Sequence, residues 1–410
     1  MNGSDRHSIA YVTPRYGVEV VGGAESAARS FAEGMAARGH EVTVLTTTAI
    51  DSHTWANHFP AAETVINGVV VRRFHVDRGR DPNFLGLADL VLPVPRGATP
   101  EECDRFIDLQ GPISSSLMDA IGAYDGDFVA FYPYLYHPTV EGIRRVRGLR
   151  LFHPAAHDEP QLALPIFDET FGRADGLVFQ TDAESTLVHE RFAVGAVPSV
   201  VLGLGINPPP ERIQRLLLAK WGLENKPYVV CLGRVDGHKG ALMLAELFYE
   251  YKRLFPSDLT LVYAGQVVVP PRDEPDILCV GTISENEKWA LLEGSIGLIQ
   301  PSYFEAFSIV LFEAWAVRKP VLVNAACGAT NEHVVRSAGG MTFSSFGEFV
   351  AAMEVLRGCG PEVHKMGELG HAYMNRGFRW ERVLDRYERF LDRLKRGRHK
   401  VLTSQRGIDD

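Results

Sequence analysis

Short apolar, β-branched runs alternate with segments of helical spacing along nearly the whole chain, and this alternation limits the fold most. The first such strand is Ser8–Val12, and residues 24–38 behind it have helical spacing. The same order returns in the second half, where Tyr228–Leu232 precedes a helical pattern from residue 241. Strands that alternate with helices are typical of parallel sheets covered on both faces. The sequence therefore predicts an α/β fold with ligands bound beyond the carboxyl ends of the strands.

Composition excludes several classes of protein. A length of 410 residues predicts two to three domains, and 46% hydrophobic with 23% charged residues is ordinary for a globular chain. A net charge of −9 argues against non-specific nucleic-acid binding. The five cysteines are widely spaced and form no C-x-x-C pair, which fits a reduced compartment. Residues 1–8 lack a signal-peptide pattern and no apolar run reaches 18 residues, so we expect a cytoplasmic protein.

A stiff segment divides the chain. Gly203, Gly205 and the three prolines from Pro208 onward disfavour a helix there. We therefore predict a first domain at residues 1–205, a second at 206–378, a helix at 379–396 and a polar tail at 397–410. Residues 77–100 are too long for a simple connection. We expect an extra hairpin packed on the core there, and an acceptor lid is the alternative.

Two glycine-rich turns connect a strand to a helix. Gly22 and Gly23 precede the first helix, where bare N–H groups and the positive helix end can approach an anion; a simple tight turn explains them equally well. The second turn, residues 233–240, also carries Arg234 and Lys239, whose charges suit a diphosphate. The alternative for this turn is a solvated basic loop. Another glycine, Gly281, ends a later strand.

Two carboxylates interrupt the apolar stretch 301–316. An ionised carboxylate in apolar surroundings requires a partner, so Glu305 and Glu313 predict partners from a ligand. With a helix starting near Ser308, Glu305 lies in the loop after a strand and Glu313 leans back toward that loop. The alternative is an ordinary turn residue and a partly exposed helix residue.

A third polar group follows the strand at residues 149–152. His157 could donate a hydrogen bond to a ligand or orient a leaving group, with Asp158 or Glu159 fixing its protonation. The alternative is a local hydrogen bond, with Asp158 capping the next helix. Asp125 and Asp127 have the D-x-D spacing of a metal site, but Asp-Gly between a helix and a strand predicts a turn without metal.

The spacing of the two glutamates is the most specific of these motifs. Residues 305–313, with glutamates separated by seven residues, resemble the retaining glycosyltransferases of family 4, and Gly233-Arg234 with Lys239-Gly240 is similar to the phosphate clamp of that family. The resemblance covers nearly the whole chain. It implies the GT-B fold, in which two Rossmann-like, doubly wound domains face each other across a cleft. The first domain then binds the acceptor, the second binds a nucleotide sugar, and the C-terminal helix packs back on the first.

The resemblance also implies a role for each motif. Glu305 contacts the donor sugar, Glu313 binds the ribose, and His157 faces the donor sugar. Arg234 and Lys239 neutralise the leaving diphosphate. The remaining donor-binding positions are backbone groups or glycines at Gly22, Gly23, Gly281, Phe307, Ser308 and Ile309. Many members of the family have glycine at the position of Ser308, which is one departure of this chain.

These roles predict a metal-independent, retaining hexosyltransferase without a cofactor. It moves a sugar from a UDP- or GDP-linked donor to a glycan, lipid-linked or small-molecule acceptor, in cell-surface polysaccharide or glycoconjugate biosynthesis. A cationic clamp on the leaving group lowers the barrier, and we expect the acceptor to attack from the same face of the sugar. A sugar-nucleotide 2-epimerase of the same fold and a non-catalytic sugar-nucleotide-binding protein are the alternatives.

A local basic cluster predicts peripheral contact with the inner face of a membrane. Near a lipid surface each such residue contributes about 1 kcal/mol toward anionic headgroups. The apolar segment around Phe84 and Leu87 is expected nearby, and a solvated helix face is the alternative interpretation. The cluster consists of Arg144, Arg145, Arg147 and Arg150.

Overall fold

The computed structural model describes residues 6–20 and 22–406. It divides into two compact units. Unit 1 contains the described residues up to Gly203 together with those from Val383 onward, and unit 2 is Leu204–Arg382. Each unit has its own sheet.

Unit 1 is built on an eight-stranded sheet with the order β3-β4-β2-β1-β5-β6-β7-β8. Its strands are β1 (Ser8–Val12), β2 (Glu41–Thr47), β3 (Glu63–Ile66), β4 (Val69–Phe74), β5 (Phe128–Phe131), β6 (Leu149–Phe152), β7 (Gly176–Phe179) and β8 (Ser199–Val201). Only β3 runs antiparallel to its neighbour. Strand β1 lies at the centre, where Ile9 is in register with Val42 and Phe128. The carboxyl ends of the parallel strands therefore share one edge of the sheet.

Three helices of unit 1 begin with a side-chain cap. Thr99 and Glu102 form a capping box at the start of α3, and Ser114 caps α4. Thr181 caps α7. These helices are α1 (Gly23–Ala37), α2 (Phe84–Val91), α3 (Pro100–Gln110), α4 (Ser115–Ala123), α5 (His137–Val140), α6 (Ile166–Gly172) and α7 (Asp182–Arg191).

Unit 2 is built on a six-stranded parallel sheet with the order β11-β10-β9-β12-β13-β14. Its strands are β9 (Tyr228–Leu232), β10 (Thr260–Ala264), β11 (Ile277–Cys279), β12 (Gly297–Gln300), β13 (Val321–Asn324) and β14 (Gly340–Phe343). Its helices are α8 (Ala241–Leu254), α9 (Glu285–Gly294), α10 (Ile309–Ala316), α11 (Gly328–Ser337), α12 (Phe346–Gly358) and α13 (Pro361–Gly377). Helix α14 (Trp380–Arg406) follows. The alternation of strands and helices confirms the predicted α/β class with two Rossmann-like sheets.

The hairpin predicted within residues 77–100 is wrong. The segment forms helix α2, whose side chains Phe84, Leu87, Ala88 and Val91 are buried. Their spacing of three, four and seven residues is the apolar stripe of a helix, and this signal was present in the sequence.

The predicted end of the C-terminal helix is also wrong. Helix α14 passes position 396 and continues to Arg406, so residues 397–406 are not a tail; residues 407–410 of the predicted tail lie outside the described residues. Within unit 1, α14 contacts the sheet and its helices through polar pairs. Asp385 and Glu388 each accept a hydrogen bond from Arg38 at 2.7 Å. Asp392 lies 2.9 Å from Nε2 of His7.

The predicted basic cluster is mostly paired. Arg144 donates to Glu169 at 2.6 Å, and Arg150 donates to Asp175 at 2.8 Å. Arg145 lies 3.9 Å from Asp119. The apolar segment predicted beside the cluster is α2, with Phe84 and Leu87 in the core. Among the described helices, none has the length and apolar character needed to cross a bilayer. Membrane contact stays a prediction.

Candidate functional site

Three glycine turns follow one another along the carboxyl edge of the unit 2 sheet. Gly233, Gly265 and Gly281 come directly after or close to the ends of β9, β10 and β11, and all three have positive φ angles. The Gly265 N–H donates to Gly281 O at 2.8 Å, and the Gly233 N–H donates to Ala264 O at 2.9 Å. A Cβ atom at Gly265 would lie 2.0 Å from Gly233 O. Only glycines allow these turns to approach so closely.

The first of these turns presents two cations. Arg234 donates from Nε to Asp236, and the same carboxylate accepts the backbone N–H of Lys239 at 2.8 Å. Burial raises the pKa of Asp236, but the Lys239 N–H and the Arg234 guanidinium outweigh burial and hold the pKa below its usual value. Gly240, with φ of 70°, passes so near Pro301 that a Cβ would lie 2.4 Å from its carbonyl oxygen. The turn is therefore fixed beside the loop that follows β12.

Lys239 and Glu305 meet in the structure. The ammonium nitrogen of Lys239 lies 2.7 Å from Oε1 of Glu305, whose side chain is only 13% exposed. Gln300, buried at the end of β12, points its amide at Glu305 Oε1 (3.4 Å) and at Ser308 Oγ (3.2 Å). A cation, a carboxylate and an amide donor thus converge where the strand ends.

The loop before α10 exposes backbone donors. Phe307 is buried and stacks on Phe312 with ring centroids 4.5 Å apart, so its side chain belongs to the core. Ser308 has φ of 68° and precedes Ile309, the first residue of α10. Within residues 6–20 and 22–406, the N–H groups of Phe307 and Ser308 have no hydrogen-bond acceptor. Together with the helix start they form a place suited to an anion or a polar ligand.

Glu313 lies on α10 with its carboxylate 2.5 Å from the ammonium of Lys288 on α9. Burial raises the pKa of Glu313, and Lys288 opposes this effect without overcoming it. Burial would lower the pKa of Lys288, but Glu313 and Glu285 outweigh it and raise that pKa. The pair is held in place by its own charges.

Sequence reasoning expected a ligand to pair with the two glutamates, whereas the chain itself supplies Lys239 for Glu305 and Lys288 for Glu313. Sequence reasoning also missed Gln300 and Asp236. Gln300 could have been found as a polar residue at the carboxyl end of an apolar strand. Lys288 gave no such signal, because it lies on a charged helix among glutamates.

In unit 1, the turn at Gly22 and Gly23 starts α1 as predicted. The structure places a carboxylate of the chain itself beside it: Glu25, in the first turn of α1, is buried and bonded to Arg15. A Cβ at Gly22 would lie 2.1 Å from Oε2 of Glu25. A side chain at position 22 would therefore displace the Glu25 carboxylate, whereas a Cβ atom at Gly23 would meet no atom within 4 Å.

His157 follows β6 and has Glu159 as its neighbouring carboxylate. Nδ1 of His157 lies 3.7 Å from Glu159 Oε1, and that oxygen also accepts a hydrogen bond from the Tyr134 hydroxyl at 2.6 Å. Asp158 instead pairs with Arg191 at 2.9 Å and does not cap the short 3-10 helix that follows, Pro160–Ala163. The predicted cap by Asp158 is therefore wrong.

A buried glutamate that sequence reasoning missed holds the His157 loop. Glu184, on α7, accepts the N–H of Ala156 at 2.8 Å and that of Gln180 at 2.6 Å. Burial raises the pKa of Glu184 to about 8, and these backbone donors act against that shift. Ala155, just before, adopts φ of 52°. Glu184 thus fixes the backbone that leads to His157.

The D-x-D segment serves the fold. Asp127 accepts the N–H of Ser8 at 3.1 Å and lies 2.8 Å from the ammonium of Lys395. In the part of the chain that the structure describes, no group of three His, Cys, Asp or Glu residues could hold a metal ion.

Comparison with known proteins agrees with this geometry. Residues 214–345, which include the cationic turn and both glutamates, match the sequence model of the family "Glycosyl transferases group 1". This match covers less than half of the chain. No curated protein matches the chain in a sequence search.

Solved structures share the fold over nearly their whole length. Sucrose-phosphate synthase from Thermosynechococcus elongatus is 15% identical, with a TM-score of 0.69 over 95% of this chain and 99% of that one. The α,α-trehalose 6-phosphate synthase from Burkholderia multivorans is 14% identical, with a TM-score of 0.70 over 96% and 100%. Anabaena HepE in complex with UDP and glucose is 15% identical, with a TM-score of 0.65 over 97% and 100%. The chain has the GT-B fold of these glycosyltransferases.

Proposed function

We propose that this chain is a retaining glycosyltransferase that transfers a sugar from a nucleotide diphosphate sugar to an acceptor. The observation that carries the proposal is the meeting of Lys239 with Glu305 beside Arg234, at the carboxyl edge of the unit 2 sheet. The region that contains these residues is the one that matches the glycosyl transferases group 1 family. The UDP and glucose named with the HepE structure support a UDP-linked donor, and GDP-linked donors remain to be compared.

The chemistry follows from the charges that develop when the sugar–phosphate bond breaks. The diphosphate gains negative charge, which Arg234 and Lys239 stabilise without a metal ion. The sugar ring gains positive charge, which the Glu305 carboxylate stabilises. Once the leaving diphosphate attracts Lys239, Glu305 is free to accept hydrogen bonds from sugar hydroxyls. Glu313 then binds the ribose, and the ion pair with Lys288 holds its side chain in position.

The remaining roles in the proposal rest on the resemblance. His157, positioned through Glu184 and Glu159, faces the donor sugar, and the turn at Gly22 and Gly23 contributes backbone donors. Phe307, Ser308 and Ile309 supply N–H groups to the donor, and Gly281 leaves room for the nucleotide. The acceptor is a glycan, a lipid-linked sugar or a small molecule, and it attacks from the face that the diphosphate leaves. We assign the protein to glycoconjugate or cell-surface polysaccharide synthesis in the cytoplasm.

A two-stage experiment tests this function. First, thermal shift is measured with UDP-, GDP- and dTDP-sugars; a ligand at about 100 times its Kd stabilises the folded state by roughly 2.7 kcal/mol. Second, the best donor is incubated with acceptor pools, and nucleoside diphosphate release and the anomeric configuration of the product are measured with and without EDTA. We expect acceptor-dependent release, a retained anomeric centre and no effect of EDTA.

The alternatives give different products. A 2-epimerase would release free epimerised sugar with no acceptor present. A non-catalytic binding protein would show a thermal shift and no turnover with any acceptor. Activity that is lost in EDTA and restored by Mg²⁺ or Mn²⁺ would contradict the metal-independent clamp.

A further inference from the structure

The carboxyl edge of the unit 1 sheet carries polar residues outside the motifs discussed so far. Arg15 follows β1, Asp51 follows β2, Arg80 follows β4 and Tyr136 follows β5. His157 follows β6 on the same edge. In open α/β sheets this edge binds ligands, so the charges presented here indicate what kind of ligand unit 1 accepts.

Three of these residues, Arg15, Arg80 and Tyr136, lie around one buried indole. Trp55 is fully buried and donates its Nε1–H to Gln110 O at 2.8 Å. The Tyr136 ring packs edge-on against it with centroids 5.0 Å apart, and the Arg15 guanidinium lies 5.9 Å from its centroid. The backbone N–H of Arg80 donates to Thr54 O, next to Trp55, at 3.1 Å. Arg80 and Tyr136 are therefore both anchored to the segment around Trp55.

The acidic groups of this edge are already occupied. Glu25 is bonded to Arg15, and Glu159 accepts the hydroxyl hydrogen of Tyr134. Asp51 accepts hydrogen bonds at 2.8 Å from the N–H groups of His53 and Thr54 and from the Thr54 hydroxyl. Asp51 acts on Arg80 through its charge, but within residues 6–20 and 22–406 none of these carboxylates lies within ion-pair distance of Arg80.

Arg80 is a partly buried cation on this edge. Its guanidinium lies over the Phe84 ring, 5.0 Å from the centroid, and makes no ion pair with any described residue. Its Nε is buried without a hydrogen-bond partner, and burial lowers its pKa. The neighbouring Tyr136 hydroxyl likewise has no partner within the described ranges; burial raises its pKa to about 12, which keeps it a neutral donor at ordinary pH. A half-buried guanidinium without a partner is costly unless a ligand supplies one.

We propose that Arg80 binds an anionic group, a phosphate or a carboxylate, on the acceptor, with the Tyr136 hydroxyl as a second donor. The planar fork of a guanidinium fits both anions through two parallel hydrogen bonds. The Phe84 ring packs beside that fork. The identification of the ligand as an acceptor rests on the proposed function, whereas the affinity of Arg80 for an anion does not.

The test uses glucose 6-phosphate, glucuronate and glucose as probes on the full chain, with binding measured by calorimetry. We expect at least one of the two anionic sugars to bind and glucose to bind far more weakly; which anion binds decides between phosphate and carboxylate. Arg80→Gln should weaken the anionic sugar about tenfold or more. Arg78→Gln is the matched control, because Arg78 lies in the same loop but is exposed and pairs with Asp108. It should bind like the parent chain.

Two further measurements keep the outcome unambiguous. Arg80→Lys keeps the charge and loses the fork, so its affinity should fall between those of the parent chain and Arg80→Gln. UDP binding is measured on the same samples, and the affinity for UDP should be the same in all variants. If the parent chain does not bind UDP, that result counts against the proposed function and not against the assignment of Arg80. The assignment of Arg80 is overturned if neither anionic sugar binds the parent chain. It is also overturned if Arg80→Gln binds the anionic sugar as tightly as the parent chain does.

Discussion

The carboxyl edges of the two sheets differ in how their charges are compensated. In unit 2, Arg234, Lys239 and Lys288 each have a carboxylate of the chain itself as partner. In unit 1, Arg15 is paired in the same way, but Arg80 is not. A ligand of unit 2 must therefore exchange places with existing ion pairs, whereas a ligand at Arg80 adds a missing partner. The paired cations of unit 2 favour selectivity for the ligand, whereas Arg80 in unit 1 favours direct binding of an anion.

The largest effect is expected from removing the cations of unit 2. Arg234→Ala and Lys239→Ala should each lower kcat/KM by about 10² to 10³, because loss of one such donor costs about 3 kcal/mol of transition-state stabilisation. Lys220→Ala is the control, since Lys220 pairs with Glu287 on the surface of the same unit. Steady-state kinetics with the best donor measure the effect. Near-normal kcat/KM in both variants would remove these residues from the reaction.

The two glutamates should separate by kinetic pattern. Glu305→Gln should mainly lower kcat, because its carboxylate acts on charge that exists only in the transition state. Glu313→Gln should mainly raise the donor KM, because ribose hydroxyls are held equally in ground and transition states. Removal of a charged acceptor costs roughly 1.5 to 3 kcal/mol in either case. Exchanged patterns would reverse the assignment, and wild-type kinetics with lowered melting temperatures would make both residues structural.

A buried histidine beneath each edge allows the two units to be compared by pH. His153 in unit 1 lies 3.0 Å from the Tyr387 hydroxyl, and His333 in unit 2 lies 3.2 Å from the Tyr373 hydroxyl. Burial lowers the pKa of each to about 3. The unfolded chain takes up a proton at each histidine below about pH 6.5, which the folded chain does not. The free energy of unfolding should therefore fall as pH decreases from 6.5 toward 3.

The slope should be about 1.4 kcal/mol per pH unit for each histidine. Urea unfolding between pH 7 and pH 5 measures it. His153→Asn and His333→Asn should each lower the slope by the contribution of one histidine, about 1.4 kcal/mol per pH unit. An unchanged slope in one variant would show that the histidine in that unit is not kept neutral.

The smallest effect is expected at Ser308. Its φ of 68° lies in the region that favours glycine, so Ser308→Gly relieves backbone strain but also removes the acceptor of the Gln300 amide. The two effects oppose each other, and the free energy of unfolding should change by less than about 1 kcal/mol. Chemical denaturation measures this change. A loss of several kcal/mol would mean that the bond to Gln300 holds the loop.

The sequence predicts backbone features better than side-chain partners. The strands Ser8–Val12 and Tyr228–Leu232 agree with the predicted runs, because short apolar, β-branched runs are visible locally. The meeting of a basic turn with Glu305 also follows from parallel strands that share one edge. The partner of Glu313 could not be predicted, because Lys288 comes from a different helix, and such pairs depend on how helices are set against a sheet.

The remaining errors have local causes. Helix α2 contains Gly86 and lies between Pro82 and Pro93, residues that disfavour a helix, although its apolar stripe indicates one. The C-terminal helix was ended too early because a charged segment was taken as a tail, although its stretch contains no proline and one glycine. The roles of individual site residues stay predictions until the variants above are measured.

Under the proposed function, the Lys239–Glu305 pair favours a donor that carries its diphosphate and its sugar in one molecule. A free phosphate can pair with Lys239, but it leaves Glu305 without a cation. The Glu305 side chain is only 13% exposed, so its unpaired carboxylate would be poorly solvated. A free sugar can donate hydrogen bonds from its hydroxyls to Glu305, but it brings no anion to replace Glu305 beside Lys239. Only a molecule that carries both an anion and sugar hydroxyls provides a partner for Lys239 and for Glu305 at the same time. At comparable concentrations, phosphates and sugars that are not joined would therefore compete only weakly with the donor.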